Sequence, residues 1–367
     1  MASAAPTIKV VVTGGGGFLG RYLCQTLLRR KRLNGRALES IAILDDIFGD
    51  THIPCDTKVQ VFPNGPTNGA SSNIRLESYR GDITDRKLVQ EVLNPGPGSG
   101  GVVVFHLASI MSGQGETQFD KCLSVNLDGT RNILEEARAL HAQGQAGGQP
   151  VRFVFPSSIA AFGPASEVND ETKRVPQSTY GTTKVMGELL INDFTRKGWI
   201  DGRTGRLPTV IVRPGNVNGA ATGCFSAVVR EVLMGHDYVI PIDPRQSHPV
   251  ISARRTIKCL LALAEVESEK LGFDRSVNLP ALQTTMDELL FHTRQIAQGR
   301  GIPIGEVVVK VDPLVSSIVG GMPQVMHSHR AKALGFPRDG SVEAVIEEYV
   351  DEFLDDEMKD DYPLFSV

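Results

Sequence analysis

The chain has 367 residues, enough for two domains or one elaborated α/β unit, and its 41% apolar and 22% charged residues argue against a disordered chain or a membrane bundle. Lysine and arginine total 38 against 42 acidic residues, a net charge of −4, so electrostatics gives no reason to expect a nucleic acid or a polybasic membrane partner. The five cysteines, Cys24, Cys55, Cys122, Cys224 and Cys259, are scattered without a Cys-x-x-Cys pair; neither a disulfide framework nor a zinc knuckle is expected, and a reducing cytoplasm fits best. The first residues are short of a secretory core, and the apolar run after them stops at glycines, so no membrane span is expected there.

In chain order, apolar β-branched runs predict strands over 8–13, 40–44, 74–79, 102–107, 152–155 and 209–212, and helical periodicity predicts helices over 19–32, 86–93, 119–140 and 179–197. Runs such as Lys9-Val10-Val11-Val12 are apolar without alternation, as parallel strands covered on both faces require. The pattern predicts a Rossmann-type α/β fold, a doubly wound parallel sheet. Two loops, 48–73 and 144–150, read as surface insertions. Beyond Arg213 the rhythm weakens into helices over 225–234, 254–265, 286–297 and 342–354 with strands such as 238–242. We expect a cofactor-binding and catalytic domain over 1–215, to which part of 250–282 returns, and a smaller C-terminal substrate lobe over 216–367.

The first strand runs into Thr13-Gly14-Gly15-Gly16-Gly17-Phe18-Leu19-Gly20. Gly14, Gly17, Phe18, Leu19 and Gly20 would form a tight turn against a pyrophosphate at a helix N-terminus. A glycine-rich turn without a ligand is the bland reading. Against it stands Asp45, about 25 residues on at the end of the second strand, where a carboxylate accepts the ribose hydroxyls. Asp45 and Asp46 repel a 2′-phosphate, so NAD is expected over NADP; Arg21, which speaks for a phosphate, reads better as a solvated first-turn residue.

Tyr180 and Lys184 lie four residues apart at the start of a helix and share a face. A phenol of pKa about 10 is a poor base at neutral pH, and a neighbouring ammonium favours its anion. Ser158 follows the fifth strand at the carboxyl edge of the sheet, where it would orient a substrate oxygen. Together the three residues suit proton transfer at a carbinol: Tyr180 takes the hydroxyl proton, Ser158 stabilises the oxygen, and Lys184 lowers the tyrosine pKa and holds the nicotinamide ribose.

With these motifs, Gly81-Asp82-Ile83-Thr84-Asp85, Phe105-His106-Leu107-Ala108-Ser109, Val125-Asn126-Leu127-Asp128-Gly129-Thr130 and Arg213-Pro214-Gly215 complete an ordered set. Over nearly its whole length the chain resembles the extended short-chain dehydrogenase/reductases, also called NAD-dependent epimerase/dehydratases. The resemblance implies that Asp82 and Ile83 flank an adenine, that Leu107, Ala108 and Ser109 line the cofactor, and that Asn126 supports the active-site network. It places Pro214 and Val217 near the nicotinamide and Ser112 in the substrate pocket, and it implies a homodimer through the helices over 119–140 and 179–197. Stretches 112–116, 186–193, 206–209 and 229–231 are most like a branch of the family that oxidises the 2-hydroxyl of the four-carbon sugar acid D-erythronate. Two positions depart from that pattern: Asn216 stands where a lysine is expected, and Pro249-Val250 follow His248 where Trp-His is expected. The missing cation leaves the substrate carboxylate to Arg230 or another residue.

The bland readings are taken for three other features. His106 reads as a packed core histidine, His327-Ser328-His329 as a solvated loop rather than a metal site, and Asp355 to Asp361 as a solvated charge run. Arg254 reads equally as a substrate contact or a structural ion pair. The expected function is NAD-dependent oxidation of a secondary hydroxyl on a small D-erythronate-like sugar acid, without a metal. The alternatives are a nucleotide-sugar epimerase or dehydratase with tightly bound NAD and, behind it, a non-catalytic dinucleotide sensor.

Overall fold

Val10 and Val12 of the first strand, Ile8–Thr13, enter one hydrophobic core, and Val11 enters a second core on the opposite face of the sheet. Alternate side chains of the run are thus buried on both sides, which is why it carries no polar alternation. The computed structural model describes residues 7–46, 73–96, 99–215 and 220–354, with the backbone of the strand Lys58–Phe62. Cys55, Asn216, Val217 and residues 355–361 lie outside the described residues.

The main sheet runs in the order Ser276–Asn278, Ile200–Leu207, Val151–Ser158, Val102–His106, Ile8–Thr13, Arg36–Asp45, Ile74–Arg80 and Lys58–Phe62. All of these neighbours pair in parallel except the last two strands. Helices Phe18–Arg30 and Ala253–Glu265 contribute to the core on one face; Arg86–Leu93, Thr130–Ala142 and Thr179–Arg196 contribute to the core on the other. The chain leaves Ile8–Thr13 toward one edge and resumes on its other side at Val102–His106. The carboxyl ends of those two strands therefore bound the crevice where doubly wound sheets take ligands.

Two elements differ from the sequence expectation. Thr209–Ile211 is not a main-sheet strand; it pairs with His248–Ser252, which pairs in turn with Leu282–Thr284 in a separate sheet of three strands. Its expected place is taken by Ile200–Leu207, whose sequence IDGRTGRL hides a buried strand. Arg203 and Arg206 on it are fully buried, with their charges met by Asp201 at 2.6 Å and Glu188 at 2.8 Å, so a strand that reads as polar sits in the interior. The helix expected over 119–140 is interrupted: Phe119–Leu123 and Thr130–Ala142 flank a π-helical turn, Ser124–Gly129. A strand, Lys58–Phe62, lies within the insertion expected as a loop.

Toward the C-terminus, Cys224–Leu233, Met286–Arg300 and Val342–Tyr349 gather around a core of their own that includes Phe225, Leu289, Ile346 and Tyr349. Among the described residues no helix is long and apolar enough to cross a membrane.

Candidate active site

A cavity of about 590 Å3 opens at the switch point of the sheet. At one end is the glycine turn. Gly14 adopts φ +70°, and a Cβ there would lie 2.5 Å from the backbone nitrogen of Ala108, so only glycine lets the turn close against the end of the neighbouring strand. The Gly16 N–H donates to Asp45 Oδ2 at 2.8 Å, which fixes the carboxylate beside the turn. The helix Phe18–Arg30 that follows has no acidic residue in its first turn, so no carboxylate of its own competes for an anion at its N-terminus. From there the wall passes Asp45, Asp82, Ile83, Leu107, Ala108 and Ser109, a slot that suits a dinucleotide. Gly14, Gly17, Phe18, Leu19 and Gly20 line the same cavity, as do Asp46 and Arg21.

At the other end, Ser178 caps the helix Thr179–Arg196 by accepting from Gly181 N–H at 3.0 Å. A Cβ on Gly181 would approach the Ala160 carbonyl oxygen to 2.1 Å. Its absence lets the helix start against the turn Ile159–Ala161, which brings Tyr180 and Ser158 to one wall of the cavity. Lys184, one turn on, is buried; its Nζ donates to the Pro156 carbonyl at 3.0 Å and stands 4.6 Å over the Phe155 ring and 5.4 Å from the Tyr180 ring centre.

Burial raises the Tyr180 phenol to about 12; the Ser158 hydroxyl and the Arg213 charge pull against that rise. Burial also lowers the Lys184 ammonium to about 8, opposed by Cys122 and Glu188. Desolvation thus acts on both groups, and the cationic pull on the phenol comes from Arg213 rather than from Lys184.

The remaining candidates divide. Ser112 is buried and lines the cavity. Asn126 stands behind the wall, on the π-helical turn. Its Oδ1 accepts from Ile110 N–H at 2.7 Å, and its Nδ2 donates to the Ile110 carbonyl at 3.1 Å and to Thr183 Oγ1 at 3.2 Å. It therefore ties Ile110, which lines the cavity, to the helix of Tyr180. Pro214 is buried but does not line the cavity. Arg230 does not line it either: Nη2 is 2.6 Å from Glu231 Oε1, and Nη1 donates to the Arg213 carbonyl at 3.0 Å. Its guanidinium is neutralised and occupied on its own helix. Arg213, Thr209, Thr222 and Met322 join the wall instead. Arg213 follows a short strand, Thr209–Ile211, a position whose sequence does not reveal which way the side chain turns.

His106 lies in the core between Thr13 Oγ1 at 2.6 Å and Thr130 Oγ1 at 2.9 Å, and burial drives its pKa down to about 3. His327 stacks on His329 and meets Glu167 at 3.1 Å, and Arg254 pairs with Glu348 and Glu352.

A family model described as the NAD dependent epimerase/dehydratase family matches residues 10–274. D-erythronate dehydrogenase of Cupriavidus necator is 36% identical to this chain over 351 residues, covering 94% of the chain and 98% of that protein. The Haemophilus influenzae protein of the same name is 32% identical over 346 residues, covering 94% and 99%. Among solved structures, a nucleoside-diphosphate-sugar epimerase from Agrobacterium tumefaciens superposes with a TM-score of 0.79 at 30% identity, covering 95% of each chain.

Proposed function

The chain belongs to the NAD dependent epimerase/dehydratase family, and on that premise we propose that it oxidises the 2-hydroxyl of a small sugar acid, D-erythronate or a close analogue, to the 2-oxo acid. The observation that carries this reading is the shared wall of Ser158, Tyr180 and Lys184 at the end of a dinucleotide slot, in a chain whose curated relatives bear the name D-erythronate dehydrogenase.

Ser158 holds the C2 oxygen, with its own Oγ oriented by the Ala160 N–H at 3.1 Å. Tyr180 accepts the proton of the C2 hydroxyl. When bound, NAD supplies the hydride acceptor for the C2 hydrogen. Lys184, with its ammonium poised near neutral pH, exchanges a proton with the surroundings of the phenol and holds the nicotinamide ribose. Gly14, Gly17, Phe18, Leu19, Gly20, Asp45, Asp82, Ile83, Leu107, Ala108 and Ser109 hold the cofactor, and Ser112 borders the substrate. Asn126 acts as a positioning residue through Ile110.

The division into a catalytic part over 1–215, to which part of 250–282 returns, and a mainly substrate-binding lobe over 216–367 belongs to the same proposal, supported by the place of Ser276–Asn278 in the main sheet and by the separate C-terminal core. A homodimer is supported by Phe119, Met186 and Leu189, which are 57%, 39% and 55% exposed on the two helices named for that contact. The cytoplasm is supported by the cysteine pattern.

The test is a panel of four- to six-carbon sugar acids with NAD, read by NADH absorbance. Steady NADH formation with D-erythronate fits the proposal. The second reading, nucleotide-sugar epimerisation, draws on the Agrobacterium neighbour; conversion of a sugar nucleotide without NADH accumulation would establish it instead. Loss of Tyr180, Lys184 or Ser158 would be needed to favour a non-catalytic sensor, and all three stand in the cavity.

A further inference from the structure

Among the described residues, the four buried arginines are met by carboxylates: Arg203 and Arg275 by Asp201 at 2.6 and 2.9 Å, Arg206 by Glu188 at 2.8 Å and Arg230 by Glu231 at 2.6 Å. Arg213, half-buried at the cavity wall, differs. Its Nε is buried without a hydrogen-bond partner, and no carboxylate of the described residues pairs with its guanidinium. The backbone that carries it is nevertheless held on both sides, by Ser226 Oγ at 3.2 Å from its N–H and by Arg230 Nη1 at 3.0 Å from its carbonyl. Its side chain lies in the wall of the cavity with Ser158, Tyr180 and Thr222. A cation desolvated without an internal counter-charge is costly; at the reacting end of a cleft the compensation is an anionic ligand.

We infer that Arg213 is the carboxylate anchor of the site, receiving the C1 carboxylate of a 2-hydroxy acid while the adjacent C2 hydroxyl rests on Ser158 and Tyr180. Given the sugar-acid reading, on which this assignment rests, one bond separates the carboxyl carbon from the carbinol carbon, so a guanidinium in the same wall as the phenol selects the hydroxyl next to the acid. The fork of the guanidinium matches a carboxylate through parallel N–H donors. This supplies the cation that Asn216 does not provide and that Arg230, locked to Glu231, has already spent on its neighbour. The Arg213 charge also draws the Tyr180 phenol toward ionisation, so filling the anchor and setting the base are linked through one residue.

The probes are D-erythronate, erythritol (the analogue with the carboxylate reduced to an alcohol) and oxalate, a dianion that needs no turnover. Oxalate binding is measured by calorimetry on the full chain loaded with NADH, for the wild type, R213Q and R213K. The wild type should bind oxalate; R213Q should weaken that binding about 100-fold, in line with loss of one partner of a buried charge pair, and R213K should recover part of it. NAD affinity should be unchanged in both variants, which also shows that they fold. In turnover, R213Q should raise KM for D-erythronate far more than it lowers kcat, and it should erase the preference for D-erythronate over erythritol. Oxalate binding by R213Q equal to the wild type, absence of oxalate binding by the wild type, or a parallel loss of NAD affinity would each overturn the assignment. Arg213-dependent oxalate binding in a protein that reduces no NAD with D-erythronate would defeat the substrate reading while leaving the anion anchor standing.

Discussion

Arg206 and Glu188 close on each other in the interior, with Nη2 2.8 Å from Oε2 and Nε 2.9 Å from Oε1, and both side chains are buried. Ser157 Oγ donates to the same carboxylate at 2.6 Å, and Arg206 Nη1 reaches Asn278 Oδ1 at 3.2 Å. Glu188 lies one turn beyond Lys184 on the Thr179–Arg196 helix, and Ser157 immediately precedes Ser158. Glu188 therefore joins two strands to the helix that presents the tyrosine and lysine: the ion pair holds Ile200–Leu207 to it, and the Ser157 hydrogen bond holds the strand end that presents the serine.

Removing either partner of that pair leaves a buried charge uncompensated, at a typical cost of about 3–5 kcal/mol. Arg206→Met and Glu188→Leu should each lower the urea midpoint strongly. The double variant should recover much of the loss, because no fully buried charge is then orphaned; Arg174, which lies 3.7 Å from Glu188, is partly exposed and can turn to water. Equal or additive losses in the double variant would contradict a pairwise origin.

The proposed reading gives Asp45 the choice of cofactor. Its carboxylate is fixed by Gly16 N–H, where under that proposal it accepts ribose hydroxyls and repels a 2′-phosphate. Asp45→Ser should weaken NAD about tenfold and narrow the gap to NADP, since the loss is one charge-assisted contact. Fluorescence titration with both reduced cofactors reads the ratio; an unchanged ratio would remove Asp45 from this role.

The titration of Tyr180 gives the rate a direction with pH. A proton acceptor works only when deprotonated, and burial holds the phenol at about 12. Below that value the ionised fraction grows tenfold per pH unit, so kcat/KM for oxidation should climb by about one logarithmic unit per unit between pH 7 and 9. A profile flat or falling over that range would point to another base.

Acid should weaken the fold through His106 and His248. Burial lowers both to about 3; His106 is clasped by Thr13 and Thr130, while His248 stacks on Phe225 with its Nδ1 unpartnered. A histidine kept neutral in the fold takes up a proton on unfolding, so its effect is absent above pH 6.5 and grows as pH falls from there toward 3. At pH 5 the loss is about 2 kcal/mol for each histidine. Urea midpoints at pH 7 and pH 5 measure the difference, and His248→Gln, though less stable at pH 7, should lose less on acidification than the wild type.

Much of this architecture is legible in the chain because its signals are local. Lys9-Val10-Val11-Val12 is apolar on both faces, the glycine turn follows directly, and Tyr180 and Lys184 share one helical turn. Ile200–Leu207 escapes notice for the opposite reason: its place in the sheet depends on Asp201 and Glu188 neutralising Arg203 and Arg206, partners that only the fold brings near. The substrate cation shows the same limit. Arg230 and Arg213 lie 17 residues apart and are joined by a hydrogen bond, yet Arg230 is paired with Glu231 away from the cavity while Arg213 lines it. The resemblance implies only that Asn126 supports the active-site network; that it does so through Ile110 depends on the π-helical turn, which the sequence pattern does not show.

The central claim, that C2 of a sugar acid is oxidised, is tested most directly with D-erythronate carrying deuterium at C2. Incubated with NAD and the wild-type protein, the label should appear in the reduced cofactor, with one 2-oxo acid formed per NADH, and Tyr180→Phe should abolish the transfer while still binding NAD. Label retained at carbon in an isomerised product, with no deuterated NADH accumulating, would contradict the claim.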